Sequence, residues 1–76
     1  MSADEIFLKR LGKRITKCRE SLDSPLSKQK LAEAVGISRM QMHRIETGSS
    51  DGNPSILVLR KIAWHLEITL AELVDF

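Results

Sequence analysis

The tightest constraint in the chain lies between residues 28 and 47, where two short stretches of helical pattern flank the turn Gly36-Ile37-Ser38. Ser27 is placed to cap the first stretch, Lys28 to Ala34, whose Leu31 and Ala32 share an inward face with Val35. Gly36 supplies a left-handed residue to end it, and Ser38 can cap the second stretch, which runs to Thr47 and is stopped by Gly48. Helices shorter than about 12 residues are marginal in water, so neither exists unless it packs on the rest of the chain. Ala32 is small where the two would cross, and Ile37, Met42 and Ile45 fill the angle between them. The pattern therefore predicts two helices locked at a sharp angle, with Arg39, Met40, His43 and Arg44 off the buried stripe of the second.

The remaining residues supply what this pair must pack against. Asp4 is expected to cap a first helix with Glu5 in its first turn, and Leu8, Leu11, Ile15, Cys18 and Leu22 make one apolar stripe. Gly12 costs about 1 kcal/mol inside a helix, which places the regular start nearer Leu11. Asp23-Ser24-Pro25 ends this helix. After a loop from Ser49 to Asn53, Pro54 and Ser55 open a fourth helix through Leu66, with Leu59, Ile62, Ala63 and Leu66 as its core side. Thr69 caps a last one, Leu70 to Val74. With only Phe7, Trp64 and Phe76 aromatic and the β-branched residues scattered, strands find no support. The expectation is an all-α, compact five-helix domain spanning residues 1–76.

Composition narrows the function classes. The net charge is only +2, but residues 1–48 carry ten Lys and Arg against six Asp and Glu, while residues 49–76 carry two against four. The halves are thus +4 and −2, a polarity that suits an anionic partner on one side. The start Met1 to Glu5 is acidic and polar, unlike a signal peptide, and no run of eighteen apolar residues occurs, so the expectation is a cytoplasmic protein without a membrane partner. Cys18 sits on an apolar stripe as a small hydrophobe, and His43 and His65 lack metal-ligand spacing with it. No base, nucleophile and orienting group converge, so neither an enzyme nor a metal or other cofactor is expected.

The run Leu26-Ser27-Lys28-Gln29-Lys30-Leu31-Ala32-Glu33-Ala34-Val35-Gly36-Ile37-Ser38, followed by Ile45-Glu46-Thr47-Gly48, resembles the lambda repressor and Cro-like (XRE) helix-turn-helix family. The likeness extends to Leu11-Gly12-Lys13-Arg14-Ile15 before it and to Pro54-Ser55, Leu59, Lys61-Ile62-Ala63, Leu66, Thr69 and Glu72-Leu73 after it, covering about residues 8 to 75. The resemblance implies a DNA-binding transcriptional regulator, a repressor by expectation, that inserts the helix 38–47 into the major groove of double-stranded DNA. On that basis Arg39, Met40, His43 and Arg44 are expected at base edges. Ser27, Lys28, Gln29, Ser38, Gln41, Thr47, Ser49, Ser50 and Asn53 are expected at phosphates, where helix N-termini and hydroxyl donors suit the backbone. The family usually carries glutamine at the position of Lys28, bracing the backbone and the recognition helix; lysine offers no acceptor for such bracing. Arg19 and Glu46 match a pair that ties the first helix to the third.

Three departures carry further expectations. The connection Ser21 to Leu26 is longer than the family's turn, leaving room for a longer first helix or a bulge. Glu67 stands where a glycine ends the fourth helix, implying strain of about 1 kcal/mol if its backbone is left-handed. Leu57 and Trp64, seven apart and off the core stripe, point with Leu70, Val74 and Phe76 to an interface for a homodimer on a near-palindromic site. The alternative is an antitoxin-like module whose C-terminal face holds a different protein.

Overall fold

Ser2, not Asp4, starts the first helix, and its side chain and that of Glu5 form a reciprocal capping box in which the Glu5 amide donates to Ser2 Oγ at 3.1 Å. In the computed structural model, which describes residues 1–76, helix α1 spans Ala3–Glu20 and runs straight through Gly12. The expected late start near Leu11 is therefore wrong, and packing explains why the glycine is tolerated. A Cβ on Gly12 would stand 2.7 Å from the Ile45 carbonyl oxygen and closer still to that of Glu46. The propensity lost at Gly12 is exchanged for a close approach of two helices.

Helix α2 spans Lys28–Val35, α3 Arg39–Thr47, α4 Ile56–His65 and α5 Leu70–Leu73, with a single 3₁₀ turn at Ser50–Gly52 between α3 and α4. Ser27, Ser38 and Thr69 cap their helices as the sequence predicts, and Ser55 caps α4. Pro54 stays outside α4, one residue before the cap, so it orients the chain's entry and is not the first helical residue. The Ser21–Leu26 connection neither extends α1 nor swings free. The Leu26 amide donates to the Arg19 carbonyl at 3.4 Å, and Arg19 Nη1 donates to the Leu26 carbonyl at 2.8 Å.

One core holds the five helices together. α1 packs on α3 and α5, α2 on α3 and α4, and α4 on α5. Leu11, Ile15, Leu31, Met42, Ile62, Leu66 and Leu73 are fully buried at its centre, and each such side chain contributes about 1.5–3 kcal/mol of transfer free energy. Cys18 and Leu22 lie partly buried against this cluster. Gly36 takes φ 86° and its amide donates to the Ala32 carbonyl at 2.9 Å, so α2 ends in a left-handed residue that lets the chain double back into α3. No helix is long and apolar enough to cross a membrane.

Candidate nucleic-acid interface

The back of α3 is fixed and its front is open. Met42 and Ile45 are buried in the core, and Glu46 is buried beside them at 8% exposure. A carboxylate so placed needs several donors, and it has them. Arg19 grips it in a fork, Nη2 to Oε1 at 3.0 Å and Nε to Oε2 at 3.2 Å, and the Thr16 hydroxyl donates to Oε1 at 2.7 Å. Arg19 spends its remaining arm on the Leu26 carbonyl, so one guanidinium ties α1, α3 and the entry to α2 together. The sequence points to the Arg19–Glu46 pair; the part played by Thr16 depends on how α1 packs on α3, and that of Leu26 on how the connecting segment runs.

On the open side Arg39, Met40, Gln41, His43, Arg44 and Thr47 are all exposed, Met40 at 59%. Arg19–Glu46 is the chain's one salt bridge, so the guanidinium groups of Arg39 and Arg44 are not neutralised by any carboxylate. Arg39, Met40 and His43 line one shallow hollow on this face. These residues sit on two turns of a helix whose N-terminus is capped by Ser38, whose Oγ accepts from the Gln41 amide at 3.0 Å.

The side chains expected at phosphates have mixed availability. Ser27 Oγ accepts from the Lys30 amide at 3.0 Å and Ser49 Oγ from the Asp51 amide at 3.2 Å, which leaves each hydroxyl proton free to donate outward. Ser50 and Asn53 are exposed beside them on the 3₁₀ turn and its exit. Thr47 differs, since its hydroxyl donates to the His43 carbonyl at 2.9 Å and must rotate to reach a phosphate. Gln29 donates to Glu33 Oε1 at 3.3 Å along its own helix.

Lys28 offers no acceptor, as expected, yet it still reaches α3, because Nζ lies 2.9 Å from His43 Nδ1 across the turn. The absent acceptor on lysine is supplied by the histidine, fifteen residues away, and neither residue alone signals the pairing.

Among the residues expected at an interface, Leu57 is 52% and Trp64 79% exposed, so Trp64 is no core residue. Leu70 and Val74 are partly buried against the core, and the Phe76 ring rests on Phe7 with centroids 5.3 Å apart. Trp64 and Leu70 border an open hollow between α4 and α5 whose rim carries Arg60, Lys61, Glu67 and Glu72.

Two short helices at a tight left-handed turn, braced from behind and open in front, define a helix-turn-helix domain. Residues 22–76 match the model of the Cro/C1-type HTH DNA-binding domain, and the chain belongs to that family of DNA-binding regulators. The restriction-modification controller protein C.AhdI from Aeromonas hydrophila is similar in structure, with TM-score 0.81 and 28% identity over 95% of this chain and 99% of that one. The N-terminal DNA-binding domain of SinR from Bacillus subtilis gives TM-score 0.77 and 29% identity over 90% and 94%. SinR, the master regulator for biofilm formation, in complex with DNA gives 0.72 and 30% over 86% and 98%. No curated protein matches the chain in sequence.

Proposed function

We propose that the protein is a sequence-specific transcriptional regulator, a repressor in its simplest mode, that lays α3 in the major groove and reads bases with Arg39, Met40, His43 and Arg44. The observation that carries this reading is the pair of exposed, unneutralised arginines on a helix whose opposite face is fixed by a buried ion pair. A guanidinium fork matches O6 and N7 of guanine, and Met40 suits a thymine methyl. Ser27, Lys28, Gln29, Ser38, Gln41, Thr47, Ser49, Ser50 and Asn53 would set the register through the phosphates on either side. The SinR structure in complex with DNA lends support to the groove placement at 30% identity. The working place of such a protein is the cytoplasm, on DNA.

Arg39→Ala tests the reading. Its expected effect is a loss of about 1 to 3 kcal/mol for the preferred site with nonspecific binding spared, measured by titration against specific and scrambled duplexes. Equal losses on both duplexes would remove Arg39 from base reading.

The open Leu57 and Trp64 favour assembly as a homodimer, with Leu70, Val74 and Phe76 at the margin, on half-sites about 34 Å apart. Sedimentation at micromolar concentration with and without operator DNA checks this, a monomer under both conditions counting against it. Recovery of a second, different chain on that face would favour the antitoxin-like alternative.

A further inference from the structure

The contact between Lys28 and His43 constrains the histidine ring itself. An ammonium group has three donors and no lone pair, so at 2.9 Å His43 Nδ1 has to be the acceptor. A neutral imidazole carries a single proton, which then resides on Nε2. Lys28 is the first residue of α2, directly after the Ser27 cap, and His43 shares its hollow with Arg39 and Met40. Nε2, the ring nitrogen that Lys28 does not engage, is thus a donor.

We propose that Lys28 is a specificity-determining positioning residue, which holds the His43 ring as its Nε2–H tautomer and thereby makes His43 select a hydrogen-bond acceptor on the facing base. This rests on the reading of α3 as the base-contacting helix. In the major groove guanine presents N7 and O6 and thymine O4, whereas cytosine presents only an amino donor. A ring locked as a donor favours guanine or thymine and disfavours cytosine, where donor would meet donor. Adenine, with one acceptor beside one donor, falls between. A ring free to exchange tautomers has no such preference, because it can offer a lone pair or a proton as the base demands. Lys28 acts through His43 and need not touch the base. The same lysine placed only as a point charge would pull on every phosphate alike and leave base preference untouched.

Selection from a random double-stranded DNA library with the full chain tests the proposal, with variants Lys28→Met, Lys28→Arg and His43→Ala run beside wild type. The position that loses preference in His43→Ala marks the base pair His43 faces. Lys28→Met is expected to reduce the roughly fivefold preference for an acceptor at that pair to near none, and to leave the rest of the motif intact. Lys28→Arg, also a pure donor, is expected to restore it. Long-range proton–nitrogen spectra of the free protein supply a second readout, with Nδ1 of His43 unprotonated in wild type and the two tautomers mixed in Lys28→Met. A wild-type chain that enriches no motif would overturn the base-reading function itself. A motif that survives Lys28→Met unchanged at the marked pair, with or without an even loss of affinity across all sequences from a lost phosphate contact, no marked pair at all, or a protonated Nδ1 in wild type would each overturn the tautomer proposal and leave the base-reading function standing.

Discussion

Two arginines on α1, Arg14 and Arg19, each reach across to another helix, and the two joints are built differently. Arg19 uses Nε, Nη1 and Nη2, all on partners that bind α3 and the segment leading to α2. Arg14 uses Nη2 alone, donating at 2.9 Å to the Glu72 carbonyl at the end of α5, while its buried Nε has no partner. In the first joint every guanidinium nitrogen has a partner; in the second only Nη2 does. A buried network tolerates one geometry only, whereas one hydrogen bond to a main-chain carbonyl leaves the Arg14 guanidinium free to pivot about it. Helix α3 is thus held by the stiffer joint, and the C-terminal helix, beside the open Trp64 face, by the softer one.

Breaking the stiff joint should give the largest effect. Glu46→Ala leaves the Arg19 charge buried without its partner and is expected to cost about 3–5 kcal/mol, a large part of what a domain of this size has. The double variant Arg19→Met with Glu46→Leu should recover most of that loss, since apolar replacements of a buried pair are often neutral or better. Urea denaturation followed by circular dichroism checks both, and a Glu46→Ala midpoint near wild type would show the joint to be ornamental. Gly12→Val attacks the same joint through space. Its branched side chain meets the backbone carbonyls of Ile45 and Glu46, which cannot move aside as a side chain would, and the expected cost is about 3 kcal/mol.

The parts of the fold are also unequally legible in the sequence. The α2–α3 turn could be read because each requirement is local: a serine cap, a small residue at the crossing and a glycine at the left-handed position each stand within a few residues of what they serve. Local rules failed at Gly12, where propensity argued for a late helix start and a distant carbonyl decided otherwise. They failed again at the N-terminus, where Ser2 and Glu5 close a capping box that outcompetes Asp4. The exposed front of α3 followed from periodicity, because Met42, Ile45 and Glu46 claim its other side. The link from Lys28 to His43 stayed hidden because it joins two polar side chains on different helices, and no spacing rule within one helix encodes it.

At the softer joint the chain carries strain that it can shed. Glu67, the only non-glycine residue with positive φ, sits at φ 61° just past α4, while the Glu67 and Ile68 amides donate to the Trp64 and Ala63 carbonyls, each at 3.1 Å. Those bonds need the left-handed backbone and not the carboxylate. Glu67→Gly is therefore expected to raise stability by about 1 kcal/mol, read as an upward shift in the urea midpoint, with DNA binding unchanged. A fall would mean that the Glu67 side chain stabilises the hollow beside Trp64 by more than its backbone costs.

The smallest expected effect is a pH dependence at the same joint. Glu72 accepts from the Thr69 amide at 3.0 Å in the α5 capping box; this bond chiefly, then the Thr69 side chain and the nearby Arg14 charge, hold its carboxyl below the ordinary value of 4.5, with desolvation opposing them. A carboxyl whose folded pKa is depressed binds its proton more weakly in the folded chain than in the unfolded one. Its contribution is therefore complete above the unfolded pKa and fades as the pH falls through the lower, folded value. Glutamine at this position keeps the shape and the capping acceptor but loses the charge. Glu72→Gln should accordingly be slightly less stable than wild type at neutral pH, with the difference narrowing only in acid, beneath the ordinary carboxylate range. A difference that stays constant from neutral pH into acid would mean that Arg14 and the capping amide act on the shape of Glu72 and not on its charge, and the softer joint would then hold without electrostatics.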